Sequence, residues 1–233
     1  MKVGIMQPYF LPYIGYFQLI KAVDTFIVYD NIQFSKKGWI NRNRVLINGQ
    51  DEYISLPLKK DSDYLMVNQR FLSDTFEQDK QKALRKIYEN YRKAEHFEEA
   101  YPVIESCYNN PERNLFDFVW GSIRNVCGYL NIKTPLVISS EIGIDHQLKS
   151  QDKVIALCKE VKADEYINPI GGVELYDKKD FNDKGIDLQF IESTPREYKQ
   201  FSGSFLSKLS ILDVMMFNSA EEIMTMLTEY IIL

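Results

Sequence analysis

The chain predicts an α/β fold: a Rossmann-like open sheet, mainly parallel, with a helical middle insertion and a helical C-terminus. Short apolar or β-branched runs alternate with amphipathic stretches at both ends of the 233 residues, the pattern of parallel strands joined by crossover helices. Residues 73–132 carry only helical periodicity. The first strand also runs into a turn crowded with prolines and aromatics, at the strand end where open α/β sheets bind ligands.

Val3 to Met6 is a continuous apolar run and reads as the first strand, and Pro8 and Pro12 forbid regular hydrogen bonding after it. From Tyr13, the residues Ile14, Phe17, Leu19, Ile20 and Val23 fall near helical spacing, with Pro12 suited to the first helical position. Thr25 to Tyr29 is β-branched and aromatic, which closes a βαβ unit. Arg44 to Ile47 and Ile54 to Leu58 read as a hairpin turned at Asn48-Gly49. Phe76 to Ala94, Phe97 to Asn109 and Leu115 to Ile132 have amphipathic helical spacing, with a break at Asn110-Pro111. Alternation then returns: a strand from Pro135 to Ile142, a helix from Gln151 to Val161, a strand from Glu165 to Ile170, a short helix from Val173 to Phe181 and a strand from Ile186 to Glu192. Gly171-Gly172 reads either as a tight turn or as a place where backbone approaches a ligand. The tail holds two helical patterns parted at Asn218-Ser219, where Ser219 suits an N-cap ahead of Glu221 and Glu222. Met215, Met216, Met224 and Met226 read as packing.

This length suits one domain spanning 1–233, with 73–132 as an inserted helical layer. There is no run of about eighteen apolar residues and no signal-like N-terminus, so the expected location is cytoplasmic, without a membrane partner. Cys107, Cys127 and Cys158 are odd in number and widely spaced, and read as buried thiols rather than a disulfide framework. A net charge of −5 argues against nucleic acid as a partner. One basic stretch remains, with Lys36, Lys37, Arg42, Arg44, Lys59 and Lys60 following the second strand. It reads either as a solvated face or as a patch for a phosphorylated ligand, and the interleaved Trp39, Asn41 and Asn43 favour a nucleotide or sugar site.

Two histidines, His96 and His146, offer no metal cluster of ordinary spacing. A GxSxG elbow, a phosphate loop and GxGxxG are absent, and Ser139 and Ser140 lack a sequence-adjacent base. The remaining tyrosines, amides, cations and carboxylates suit positioning and charge stabilisation, with general-base help from Asp30, Asp213 or a histidine. Gln7 is the leading binding residue, because an amide between an apolar strand and a proline turn usually has a specific partner.

The segments MKVGIMQPYFLPYIGYFQLIKAVDTFIVYDNIQF, GWINRNRVL, ISLPL, YINPIGGVELYD, EYKQF and KLSILDVMMFN, in this order, resemble the WbqC-like family across essentially the whole chain. That family is associated with bacterial surface-polysaccharide gene clusters, and its members are described as glycine transferases of O-antigen biosynthesis. The resemblance implies attachment of an aminoacyl group to the amino nitrogen of a nucleotide-linked aminosugar. The first unit is also similar in layout to the nucleotide-binding unit of pantothenate synthetases, with Gly15 retained and Tyr13 or Tyr16 at histidine positions. Lys208 and Ser210 match a late KMSKS-like loop, which implies ATP as a possible cofactor activating an amino acid carboxylate.

The candidate catalytic residues are therefore Asp30, Lys208 and Asp213. The candidate substrate-binding set comprises Gln7, Tyr9, Tyr13, Gly15, Tyr16, Asn31, Gln33, Trp39, Asn41, Arg42, Asn43, Arg44, Asn168, Gly171, Gly172, Tyr176, Gln200 and Ser210, with no metal ligands. Expected partners are a nucleotide-linked aminosugar and a small amino acid or activated acyl donor. Base rates also make a homodimer the default assembly. A non-catalytic nucleotide-sugar binding protein and a scaffold of the same pathway are the alternatives.

Overall fold

The computed structural model describes residues 1–194, 196–201 and 203–233. Strand β1 (Lys2–Met6) leads to helix α1 (Ile14–Ala22) and back to β2 (Thr25–Val28), which pairs parallel with β1 from Val3 opposite Thr25 to Met6 opposite Val28. Gly4 lets this unit close, since a Cβ there would lie 3.1 Å from Phe26 and 3.3 Å from Leu19 of α1. Helix α1 begins after Pro12, with Tyr13 at its N-cap, because the Pro12 carbonyl accepts the Ile211 N–H at 2.7 Å instead of opening the helix.

The hairpin pairs β3 (Arg42–Ile47) with β4 (Gln50–Ser55). Asn48 and Gly49 have φ of 51° and 78°, the left-handed pair of a two-residue hairpin turn. That turn sets Gln50 opposite Ile47, so the second strand starts earlier than Ile54, through polar residues whose period does not announce it. Three helices follow: α2 (Phe76–Tyr91), α3 (Phe97–Tyr108) and α4 (Leu115–Tyr129). Asn114 caps α4 by accepting the N–H groups of Phe116 and Asp117.

Next come β5 (Leu136–Ile138), α5 (Ser150–Glu160), β6 (Glu165–Pro169), α6 (Lys178–Asn182), β7 (Asp187–Ser193), α7 (Ile211–Phe217), α8 (Ala220–Met226) and β8 (Tyr230–Ile232). β5 is shorter than the expected Pro135 to Ile142, since Ser139–Glu141 turn into a 3-10 helix. A 3-10 helix over Ile170–Leu175, then α6, replaces the single helix expected from Val173 to Phe181. Ser219 caps α8 in a reciprocal arrangement with Glu222. β8 escapes a helical reading of the tail because it is a three-residue edge strand, antiparallel to β7, with Ile231 and Ile232 exposed.

The strand order is β5-β2-β1-β6-β7-β8, parallel except for β8. Side chains alternate between two cores: Phe26, Val28 and Ile167 join α1 and the helical layer, while Val3, Ile5, Ile27 and Tyr166 pack on α5 and α6. All three cysteines are buried, and burial pushes their thiols up to about 12. The chain therefore progresses outward in both directions from β1, and the order reverses between β1 and β6.

Two buried carboxylates tie distant segments together. Asp30, 2% exposed, follows β2. Its Oδ1 lies 2.8 Å from the Ser139 hydroxyl and accepts the Ser140 N–H at 2.9 Å, and its Oδ2 accepts Asn68 Nδ2 at 2.7 Å. Those bonds are the reason that β5 stops at Ile138. Asp213 on α7, 0% exposed, accepts the hydroxyls of Tyr91 and Tyr198 at 2.7 and 2.6 Å and Gln200 Nε2 at 2.9 Å. The Tyr91 hydroxyl in turn accepts the Leu46 N–H at 2.7 Å, joining the hairpin to the same node.

Asp30→Ala leaves the buried Ser139 hydroxyl and the part-buried donors of Asn68 and Ser140 without their acceptor and should lower stability by about 2 kcal/mol in urea unfolding; a fall under 1 kcal/mol would show that the donors find other partners. Burial raises the pKa of Asp213 above 3.8, against the pull of its three donors. The native chain then binds the Asp213 proton more tightly than the unfolded chain. The stability from this group is full below 3.8 and is lost as pH rises through the raised value. Urea midpoints across mildly acid pH should show that slope, and Asp213→Asn should flatten it.

Candidate functional site

The sequence-predicted residues separate into two neighbouring cavities and a supporting frame. The larger cavity, about 1030 Å³, opens at the carboxyl ends of β1, β2 and β6. Gln7, Tyr9, Asn31, Gln33, Asn168, Gly171, Gly172 and Tyr176 line it. This is the crevice where the strand order reverses, the position at which open parallel sheets place ligands. The smaller cleft, about 220 Å³, is lined by Tyr9, Tyr13, Trp39, Asn43, Arg44 and Lys208. Tyr9 belongs to both walls, so the two cavities are adjoining.

In the crevice wall the Gln7 backbone is fixed by the Tyr16 hydroxyl, which donates to its carbonyl at 3.0 Å. Asn31 is oriented by Ser139, whose hydroxyl lies 2.8 Å from its Oδ1, so Nδ2 donates to His146 Nδ1 at 2.9 Å. His146 Nε2 sits 3.0 Å from the Ile142 carbonyl, which can only accept. The imidazole is thereby held with its hydrogen on Nε2 and both nitrogens engaged. Gln33 donates to the Asp63 carbonyl at 3.0 Å. Asn168, 5% exposed, lies over Gly172, where a Cβ would come within 2.2 Å of Nδ2. Gly172 is thus required for close approach, not for a left-handed turn. The Tyr176 ring meets Tyr166 edge to face at 5.7 Å.

Around the small cleft, Trp39 is 39% exposed and stacks on Tyr53 at 6.0 Å, with the Arg42 guanidinium 5.2 Å from Tyr53 and that of Arg44 5.8 Å from Trp39. Arg44 pairs with Asp51 at 2.8 Å, while its Nε is buried without a partner. Asn43 Nδ2 donates to the Leu11 carbonyl at 2.6 Å and fixes the proline turn against β3. Lys208 reaches the cleft because Ser210 donates to the Leu11 carbonyl and bridges to Tyr13. Burial raises the phenol of Tyr13 and pushes that of Tyr9 up to about 12, so both are neutral donors at ordinary pH.

The other sequence candidates build the frame. Gly15 lies under the Tyr13 ring, which a Cβ at this position would meet at 2.4 Å. Tyr16 is 2% exposed. Asn41 donates to the Leu56 carbonyl, Arg42 to those of Gly38 and Lys37, and Gln200 to that of Leu206. Ser210 caps α7. Asp30 and Asp213, expected as proton acceptors, line neither cavity, and their oxygens are taken up by the donors described above.

Sequence reasoning missed Lys153 and the start of α5. Lys153 is 3% exposed and lines the crevice, its Nζ 3.3 Å from the Asn31 carbonyl and 5.0 Å from the Tyr29 ring centre. Burial lowers its pKa, with Asp30 opposing. The signal available was a lysine four residues before Leu157, on the inward stripe of a helix otherwise apolar there. Among the described residues, no aspartate or glutamate lines either cavity, although the chain carries 33 of them. The arrangement can hold an anion, hydrogen-bond a polar ligand and stack a planar group; His146 and the two buried carboxylates are engaged elsewhere.

A family model matches the chain over nearly its whole length. The model of the WbqC-like protein family matches residues 7–225. The chain is also similar to the uncharacterized protein Rv1507c of Mycobacterium tuberculosis (strain ATCC 25618 / H37Rv), 30% identical over 227 residues that cover 95% of each chain. No solved structure gives a significant match. Gln7, Tyr9, Asn168 and the di-glycine that line the crevice fall inside the matched span, and on that match the chain belongs to the WbqC-like protein family.

Proposed function

We propose that this protein is a group-transfer enzyme that binds a nucleotide-linked aminosugar in the switch-point crevice and attaches an aminoacyl group to its amino nitrogen. The observation that carries this reading is the pair of adjoining cavities sharing Tyr9, neither lined by a carboxylate among the described residues. Two compartments with one common wall can hold two substrates side by side, and an anionic ligand is favoured where the lining carries cations and no carboxylate. The crevice volume suits a ligand of nucleotide-sugar size, and its amides on Gln7, Asn31 and Asn168 suit hydroxyl and base edges. The small cleft suits a compact donor with a carboxylate or its activated form beside Arg44 and Lys208.

In this reaction the sugar nitrogen bonds to the donor carbonyl carbon, the activating group leaves with the bonding electron pair, and the proton that the nitrogen sheds passes to solvent water in the open crevice. The cleft cations stabilise the departing negative charge, and Tyr9 donates from the shared wall. A second reading, a binding protein without turnover, draws on the engagement of Asp30, Asp213 and His146, none of which is free to take that proton.

UDP-, GDP- and dTDP-linked aminosugars should raise the thermal midpoint, by about 2.7 kcal/mol of added stability at a hundredfold excess over the dissociation constant. Gln7→Ala should remove that shift while keeping the ligand-free midpoint within a few degrees, roughly the range of an exposed-site change. Mass spectrometry of the sugar after incubation with amino acid and ATP separates the readings: an acylated product supports transfer, and binding without product supports the second.

A further inference from the structure

The usual anion seat of an open α/β sheet, the helix N-terminus that follows β1, is closed in this chain. The Tyr13 ring lies over Gly15 in the first turn of α1, the Tyr16 N–H bonds to the Tyr13 carbonyl, and the segment at Ser210 and Ile211 is stitched onto Pro12 and Tyr13. On the opposite wall the N-terminus of α5 is open. Lys149, Ser150 and Gln151 line the crevice there. The N-cap residue is Lys149, whose side chain has no acceptor to offer, and no side chain caps the helix. The first backbone bond back into this turn is from Lys153 N–H to the Lys149 carbonyl at 3.4 Å, which leaves the earlier N–H groups of the eleven-residue helix unclaimed within it. Asp152, the acidic residue of this turn, is exposed and lies off the crevice wall.

Two further polar groups face the same space. The Lys153 ammonium is buried with one carbonyl acceptor and no carboxylate within salt-bridge distance among the described residues. Asn168, on β6 across the crevice, is 5% exposed as a residue; its amide has no hydrogen-bond partner among the described residues and keeps its open surface toward the crevice. A buried ammonium with a single carbonyl acceptor, its nearest opposing charge on Asp30 outside salt-bridge distance, and an amide without a protein partner are each completed by a ligand that supplies acceptors.

We propose that the N-terminus of α5, the Lys153 ammonium and the Asn168 amide form the anion subsite of the crevice, and that it holds the diphosphate of a phosphorylated ligand. This rests on the reading of the crevice as the nucleotide-sugar site and names where the linkage sits. The helix supplies N–H donors and the positive end of its dipole, Lys153 supplies a full charge, and Asn168 closes the far side over Gly172. The anion site has moved from the first crossover helix to the one that enters β6, because tyrosine and proline occupy the first.

The test is calorimetric titration of the full chain with inorganic pyrophosphate, with UDP, and with UDP-, GDP- and dTDP-linked aminosugars, in wild type, Lys153→Met and Lys149→Asp. Lys149→Asp gives the helix a capping acceptor and places a negative charge at the subsite, so it should keep or raise the thermal midpoint even if Lys153→Met folds poorly. Both variants should weaken pyrophosphate and UDP by roughly tenfold or more. Wild-type failure to bind pyrophosphate and UDP, or binding unchanged within about twofold in both variants, would overturn the subsite. Nucleotide sugars binding all three proteins alike would remove the subsite and leave the crevice reading standing. Pyrophosphate binding lost in the variants, with no nucleotide sugar bound by wild type, would support the subsite and remove the sugar reading.

Discussion

The carboxylate of Asp30 is the constraint on which the crevice depends. It sits just past β2 and gathers the Ser139 hydroxyl, the Ser140 N–H and the Asn68 amide, so three segments far apart in sequence end at one point. Ser139 passes the constraint to Asn31, and Asn31 to His146 through Nδ2 and to Lys153 through its carbonyl. An acceptor with two oxygens and three good donors, shielded from water, rigidifies what it touches more than a surface pair would. One wall of the crevice is thus a hydrogen-bonded chain anchored on a single buried charge.

The opposite end of the turn is anchored by a different means. The stretch between β1 and α1 has few backbone bonds of its own, because Pro8 and Pro12 lack donors and Leu11 sits at φ 44°. Its carbonyls are used by others: Phe10 and Leu11 by Asn43, Leu11 by Ser210, Pro12 by Ile211 and Gln7 by Tyr16. The aromatic residues therefore project from a backbone that the hairpin and the α7 segment hold from outside. This explains why Tyr9 can serve two cavities: the turn is fixed on both sides and its side chains are left to line space.

Charge is distributed with the same economy. The chain is acidic overall, yet the buried acids are consumed internally by tyrosine, serine and amide donors, and the surface acids pair with lysines and arginines such as Lys36 with Asp63 and Lys59 with Asp74. The basic stretch after β2 is thereby dispersed. Arg42 bonds to carbonyls of its own turn, Lys36 and Lys59 are paired at the surface, and Arg44 faces the cleft while bound to Asp51. The cation that enters the large crevice beside Lys149 comes instead from α5.

The sequence by itself determined the α/β class, the βαβ opening, the helical middle and the strand-end turn beside which the crevice lies, because strand and helix periods and proline positions are local properties of the chain. Gln7, Tyr9, Trp39, Arg44, Asn168 and Lys208, which line the two cavities, were legible as candidates for the same reason: they stand beside strand ends and turns that the pattern marks. Only the tertiary structure decided that Asp30 and Asp213 are consumed as acceptors, since their donors lie 38 to 110 and 13 to 122 residues away. It also decided that Lys153 turns into the crevice and that Gly15 is covered. These outcomes depend on which segments meet, and no local period encodes a meeting between residues so far apart.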